Sequence, residues 1–337
     1  MLKQRKLAIA LSAFAAANLC LLLAGFFAPY PAVMQHRDFA YAPPTRIHFV
    51  DGNGRFHVRP FVYPLVALEA DGFSYREDSG IAYPIHFFVR RPAGIHVFGV
   101  AEPANIFLFG TDGFGRDIFS RVLYGGRISI AAALLATFLS LIIGAAFGAI
   151  AGHFGGIADT SIMRTAELAL ALPWIYLLLA LRAVLPLHLG TTQTFLLVSA
   201  VIGVMGWARP ARLIRGVVLS AKEQAFVVSA RGFGASEWYL LRRHVFPQAL
   251  GIVITQAFIL VPQFITAEAT LSFLGLGMNE PMPSWGNMLS AFQHFQVMNS
   301  YWWMASPIIA LVLVSGSYFT LADAFDFRRI DLGKSHA

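Results

Sequence analysis

The chain has 337 residues, 57% of them hydrophobic and 13% charged, with 30 phenylalanines and a formal net charge of +7. A soluble domain carries about 25% charged residues, so this chain lacks the polar surface to cover a water-soluble core, and a bilayer is its expected solvent. The basic excess does not point to nucleic acid, because no basic cluster interleaved with aromatics forms a recognisable module. The single cysteine, Cys20, excludes an internal disulfide framework and any CxxC pair.

Residues 1–28 open with "MLKQRK" and continue as an apolar run from 7 to 28. That run exceeds the roughly 7–15 apolar residues of a cleaved signal peptide, so an uncleaved signal anchor is expected over a cleaved leader. Residues 29–107 read differently. "TRIHFV-DGNG-RFHVRPFVYPLV" is two β-like runs about a glycine-rich turn, and "AYPIHFFVRR" and "GIHVFGV" look like further short strands. His36, His48, His57, His86 and His96 all fall here, but no two have metal-ligand spacing on a helix face, so they are expected to be strand and loop residues.

In 108–127, Thr111-Asp112-Gly113 reads as a turn or helix cap. Apolar residues at 118, 119, 122 and 123 have helical spacing, which predicts a short interfacial helix. Further apolar runs follow at about 128–151, 166–185, 192–208, 250–274 and 302–322. Each approaches the roughly 20 residues needed to span a bilayer. Pro173 and Pro262 lie inside two of them and are expected to bend them.

The predicted fold is therefore an all-α polytopic membrane protein. Six transmembrane helices carry a small β-rich extracytoplasmic insert after the first. Residues 108–325 form the core, with a loop at 209–247, and 326–337 form a C-terminal tail. Arg209, Arg212, Arg215, Lys222, Arg231, Arg242 and Arg243 crowd that loop, whereas 275–301 holds no Lys or Arg. Basic residues in short loops stay in the cytoplasm, so the loop and both termini are expected there. The first outer segment carries arginines, but long segments cross largely regardless of charge.

Enzymatic motifs are missing. Gly333-Lys334-Ser335 would need a glycine at 328 to form a phosphate-binding loop, and that residue is Arg328; HExxH and GxSxG do not occur. The chain thus shows no means of hydrolysing ATP. Glu268 is the one acid deep in a predicted span. Such a residue is costly in lipid and faces a bundle interior or an aqueous path. Glu268 and Ser272 are candidate path or gate residues. A purely structural role, with Thr266, Thr270 or Ser272 capping the carboxylate, is equally open.

The loop has its own logic. Residues 223–230 permit a helix, and Gly232 and Gly234 break it. Ser236 followed by Glu237 resembles an N-cap with an acid in the first turn. "EWYLLRRHVF" then reads as a second helix that Pro247 stops. A plain connector needs about 2–8 residues, and this loop is far longer, which suggests a docking surface.

The same residues resemble the cytoplasmic coupling loop of ABC-importer permeases, whose motif runs EAA, three residues, Gly, nine residues, Ile-x-Leu-Pro. Gly234 matches the motif glycine. Pro247 falls thirteen residues later, with His244 and Phe246 at the Ile and Leu positions. The triplet is Val228-Ser229-Ala230 and lacks the motif's acid. "GTDGFGRDIFSRVLYGGRISI", "WARPARLIRGVVLS" and "EATLSFLGLGMNEPMPSWGNML" are similar, in order and spacing, to segments of the dipeptide/oligopeptide branch. The resemblance covers about 105–290. The outer insert is longer than usual, and "ADAFDFRRID" matches the family ending only in part.

The resemblance implies a non-catalytic permease subunit in the bacterial inner membrane. It implies as partners a sister permease, two cytoplasmic ATPases holding ATP and Mg, and an external solute-binding protein. It assigns ATPase coupling to Ser229, Ala230, Arg231, Gly232, Gly234, Ala235, Ser236, Arg243, His244 and Pro247. No cofactor or metal is expected on the chain itself. A stand-alone channel or secondary carrier is the alternative, and a membrane-anchored enzyme would need a catalytic cluster in the insert that the sequence does not offer. The substrate is not readable; nickel, glutathione, oligosaccharide and opine importers share these motifs with peptide importers.

Overall fold

A computed structural model describes residues 2–68, 74–91, 94–184, 189–240, 242–243 and 246–334. The protein is mostly helical. In chain order the helices are α1 (Leu2–Leu22), α2 (Ala24–Phe27), α3 (Ile118–Phe154), α4 (Gly156–Ala171), α5 (Trp174–Val184), α6 (Thr191–Met205), α7 (Ala208–Lys222) and α8 (Ala225–Gly232). They continue with α9 (Glu237–Leu240), α10 (Phe246–Phe273), α11 (Trp285–Leu289), α12 (Phe295–Ser300) and α13 (Ser306–Lys334).

The apolar runs resolve unevenly into spans. Among the described residues, three helices are long and apolar enough to cross a membrane: α3, α10 and the stretch Trp302–Phe325. The pair α6 and α7 counts as a fourth if it is one span bent by 45°. The run expected at 166–185 is not one helix. It is divided between α4 and α5 at Leu172-Pro173, where proline disfavours helical geometry in the residue before it and lacks the N–H a helix interior needs. Pro262, by contrast, lies inside the uninterrupted α10. The interfacial helix expected near 118–123 is the first turn and a half of α3, which runs on without a break for 37 residues.

The chain divides into two compact units, one of residues 1–14, 130–271 and 315–337, the other of residues 15–129 and 272–314. The second holds all the strands: β1 (His48–Val50), β2 (Phe56–Val62), β3 (Leu65–Ala67), β4 (Tyr75–Glu77), β5 (Tyr83–Pro84), β6 (His86–Arg91) and β7 (Gly94–Gly99). They form a three-stranded sheet of order β1-β2-β5 and two hairpins, β3-β4 and β6-β7. The β1-β2 turn falls on the glycine-rich stretch, where the Asp51 carboxylate accepts from the Asn53 and Arg55 amides at 2.9 Å each. His57 and His48 face Asp51 and Glu77. No group of three or more His, Cys, Asp or Glu converges among the described residues. Two apolar cores hold this unit's strands and loops: Val62, Ile85, Val100, Ala104 and Ile106, and Tyr30, Ala42 and Phe107. A third joins Ile118 and Val122 of α3 to Met288, Val297, Trp303 and Met304.

In the first unit, α7 packs along α3 through a stripe of small residues. Gly144, Gly148 and Gly152 repeat every fourth residue, so they share one face of α3. A β-carbon on Gly148 would lie 2.5 Å from the Ala211 carbonyl oxygen and 3.0 Å from Ile214. On Gly144 it would meet Pro210 at 2.6 Å, and on Gly152 Val218 at 2.7 Å. Close backbone approach over small residues is the ordinary way helices associate in lipid, where no hydrophobic force drives them together. The buried face of α7 answers with Ala208, Ala211, Ile214, Val218 and Ala221, at the three-to-four spacing of a helix stripe. Polar ties secure the far end. Arg215 grips Asp159 of α4 through Nε and Nη2, the latter to Oδ2 at 2.6 Å, and Lys222 donates to the His153 carbonyl near the end of α3.

Gly148→Leu is expected to destabilise the detergent-purified chain by about 1–3 kcal/mol, seen as a lower thermal unfolding midpoint, because backbone and not a yielding side chain blocks it. Gly216 of α7 faces open space, so Gly216→Ala should be neutral or stabilising by about 0.5–1 kcal/mol. Equal losses from both would show that the stripe is not a packing contact.

Candidate functional site

The loop that follows α7 folds as a compact unit. Helix α8 ends at Gly232, and Gly234 adopts φ +86°, a conformation that glycine reaches without steric cost. The Ala235 amide reaches back to the Ala230 carbonyl at 3.0 Å, the 6→1 bond of a glycine-terminated helix. Ser236 then caps α9: its Oγ accepts from the Tyr239 amide at 3.3 Å, and its carbonyl accepts from Leu240 at 3.1 Å. The helix, glycine turn and serine cap read from the sequence are all present. Of the second helix expected over 237–246, Glu237–Leu240 forms α9 and residues 242–243 form a π turn, while 241, 244 and 245 lie outside the described residues.

Pro247 does not stop a helix. It occupies the first turn of α10, where its missing N–H would have had no partner in any case.

Val227 and Leu240 are buried and fasten the loop. Around them the surface is apolar and exposed. Phe233 is 92% exposed, and Val228, the position of the motif's acid, is 54% exposed. Ser229, Gly232, Gly234, Ser236, Arg243 and Pro247 are likewise exposed, while Ala230 and Ala235 are half-buried. Arg231 lies on α8, and His244 lies outside the described residues. One contact was not anticipated. The side-chain amides of Gln224, just before α8, and Gln248, in the first turn of α10, bond reciprocally at 3.3 and 2.9 Å. They close the loop at its base.

The second unit carries a different site. Glu280 receives Arg116 Nη1 and Nη2 at 2.8 and 3.1 Å and Arg121 Nη2 at 2.7 Å. Arg116 Nε also donates to Asp112 Oδ2 at 2.7 Å. Burial pushes the Glu280 carboxyl up, but Arg121 and Arg116 outweigh it and hold the group below the usual carboxylate range. Trp285 seals the neighbourhood: it is fully buried, and its indole N–H donates to the Val122 carbonyl at 2.9 Å. These charges border a cavity of about 380 Å³ lined also by Tyr41, Ser272, Asn279, Asn287 and Gln293. Sequence reasoning quoted the segments holding Arg116, Arg121 and Glu280 but did not pair them. The available signal was that Glu280 is the only charged residue in 275–301.

Of the two candidate path residues, Ser272 lines this cavity, and its Oγ accepts from the Met278 amide at 2.8 Å. Glu268 is fully buried and is not among the residues lining the cavity.

The family model for the inner membrane component of binding-protein-dependent transport systems matches residues 144–331. The chain belongs to that family. Its members are non-catalytic permease subunits, and this one is the permease subunit of an ABC importer. The permease is 38% identical over 254 residues to a protein of Brucella suis biovar 1 named as a peptide permease, covering 74% of this chain and 82% of the relative. It is 34% identical over 216 residues to the dipeptide transport system permease protein of Bacillus subtilis, covering 64% and 65% of the two chains. It is 37% identical over 188 residues to the glutathione transport system permease protein of Pectobacterium atrosepticum, covering 56% and 60%.

Asp117 gives the permease a pH signature. Burial drives its carboxyl up to about 7, against hydrogen bonds from Ser120 and Phe119. A raised folded-state value favours the fold while the group is protonated, so its contribution is complete below the unfolded value near 4 and is lost as pH rises through about 7. Asp117→Asn should remove that component. The melting midpoint of the variant relative to the unmodified chain should rise between pH 5 and 8, and a difference that stays flat over that range would refute the assignment.

Proposed function

We propose that the chain crosses the bacterial inner membrane six times with both termini in the cytoplasm. In this reading α1, α4 with α5, and α6 with α7 supply the three spans beyond α3, α10 and α13, and residues 29–107 form an extracytoplasmic insert. The permease pairs with a sister permease, two cytoplasmic ATPases and an external solute-binding protein. ATP and Mg belong to the ATPases, and this chain holds no cofactor. Peptides are the cargo we favour, supported by the names of the relatives.

The observation that carries the mechanism is the loop at 223–247: a rigid helix, glycine turn and capped helix that presents Val228, Phe233 and Tyr239 outward from a closed base. An ATPase groove that closes on this ridge moves α7 and α10, because the loop is fastened to both. The test is Gly234→Val in a reconstituted complex. The turn would lose about 1–2 kcal/mol from the left-handed backbone, and transport should fall while the ATPases remain bound. Gly234→Asn should be milder, since asparagine tolerates that conformation. Unchanged transport by the valine variant would end the coupling reading, and transport with no ATPase present would favour a channel or carrier instead.

Glu268 and Ser272 are the acid and hydroxyl that we assign to the path or its gate. The support is the full burial of a carboxyl group in a membrane-crossing helix and the serine's place on a polar cavity wall. Glu268→Gln should reduce transport while leaving assembly and melting unchanged. A variant that melts lower and transports normally would make Glu268 structural.

A further inference from the structure

The hairpin of β6 and β7 is clamped on one side only. His96 Nδ1 bonds the Ala28 carbonyl at 2.6 Å, and Arg91 Nη1 donates to the Pro29 carbonyl at 3.0 Å while its guanidinium lies 5.2 Å from the Tyr30 ring centre. Both anchors grip the chain where the first apolar run ends. Phe98 of β7 packs on Phe119, in the first turn of α3, at 6.1 Å, and Phe109 packs on the same ring at 5.1 Å. The hairpin therefore sits level with the ends of two apolar helices. A third joins them. Met304, at the start of the last apolar stretch, shares a core with Ile118, and Trp303 Nε1 donates to the Thr111 carbonyl.

The other side of the hairpin is bare. Phe88 is 68% exposed and Ile95 46%, and Arg90, the cross-strand partner of Ile95, is exposed too. Phe88 holds φ +55° in the middle of a strand. That is rare for an aromatic residue and persists only where surroundings fix it; its ring leans toward Phe26 of α2 at 6.3 Å. An exposed apolar patch of this kind marks an interaction surface. Trp302, at the start of the last apolar stretch beside Trp303, is 72% exposed. Tryptophan collects at the membrane–water boundary.

We propose that this face of the β6-β7 hairpin is a membrane-interface anchor. Phe88 and Ile95 enter the boundary between headgroups and acyl chains of the leaflet at that end of α3, and Arg90 meets lipid phosphate. Amphipathic elements with aromatic and aliphatic side chains on one face and a basic residue beside them bind bilayers in this way. The anchor would hold the strands of residues 48–99 against the membrane surface.

The test uses the full chain in nanodiscs of phosphatidylethanolamine and phosphatidylglycerol, on a Cys20→Ser background. Phe88→Cys and Ile95→Cys are each labelled with an environment-sensitive dye, and Val58→Cys serves as the reference, since Val58 of β2 is 88% exposed. The expected result is a blue shift at 88 and 95 relative to 58, loss of emission with doxyl-labelled lipid and little loss with aqueous iodide. Iodide quenching at 88 and 95 equal to that at 58 would overturn the proposal. Protection from both quenchers would overturn it too, because a protein partner and not lipid would then cover the face. The two positions are independent, so a misfolded variant at one leaves the other to decide.

Discussion

Gly144, Gly148 and Gly152 allow the backbone of α7 to lie against the backbone of α3, and much of the first unit follows from that approach. In lipid there is no hydrophobic gain from bringing two apolar helices together, so the association depends on packing distance. Glycines shorten that distance. Once α7 is fixed, its C-terminal end is fixed as well, and Lys222 and Arg215 are already committed to α3 and α4. The loop with Gly234 begins two residues later. In the coupling proposed above, the loop is thus built on a pair of helices whose backbones lie in close contact. The arginine and lysine that orientation rules count as loop charges also serve as struts.

The second unit depends on a different kind of constraint. Arg116, Arg121 and Asp112 are brought together with little access to water beside the more exposed Glu280, and removing charges from water is expensive. The arrangement is tolerable because each guanidinium is met by more than one carboxylate oxygen. It also specifies geometry. Glu280 can reach Arg116 and Arg121 only if the segment before α3 and the loop after α10 adopt one mutual placement. The cavity between them is shaped by that placement.

Much of this was legible in the sequence, and the reasons for the exceptions are physical. The glycine turn and serine cap at 232–236 are local devices, so residue order announces them, and the strands around the DGNG turn follow for the same reason. The long apolar helices follow from composition. The 166–185 run is interrupted at Pro173, where a bend was expected; the interruption is sharper than a bend because proline disfavours helical geometry in the residue before it. Pro247 misled because proline is equally at home after one helix and at the start of the next. Arg116 with Glu280, and Gln224 with Gln248, escaped notice because partners so far apart are decided by the tertiary fold. The spacing of Gly144, Gly148 and Gly152 was visible, but its meaning needed α7 on the other side.

The amide pair of Gln224 and Gln248 has a mechanical consequence. A polypeptide arch open at its feet behaves as a spring: load applied to the crown spreads the feet apart and is dissipated. With the feet tied together the arch becomes a lever, and displacement at Phe233 must appear as rotation of the helices that carry it. The tie is uncharged, so neither pH nor the ionic traffic around a nucleotide site loosens it. In the coupling proposed above, stiffness at that base sets how much of a partner's movement reaches the helices.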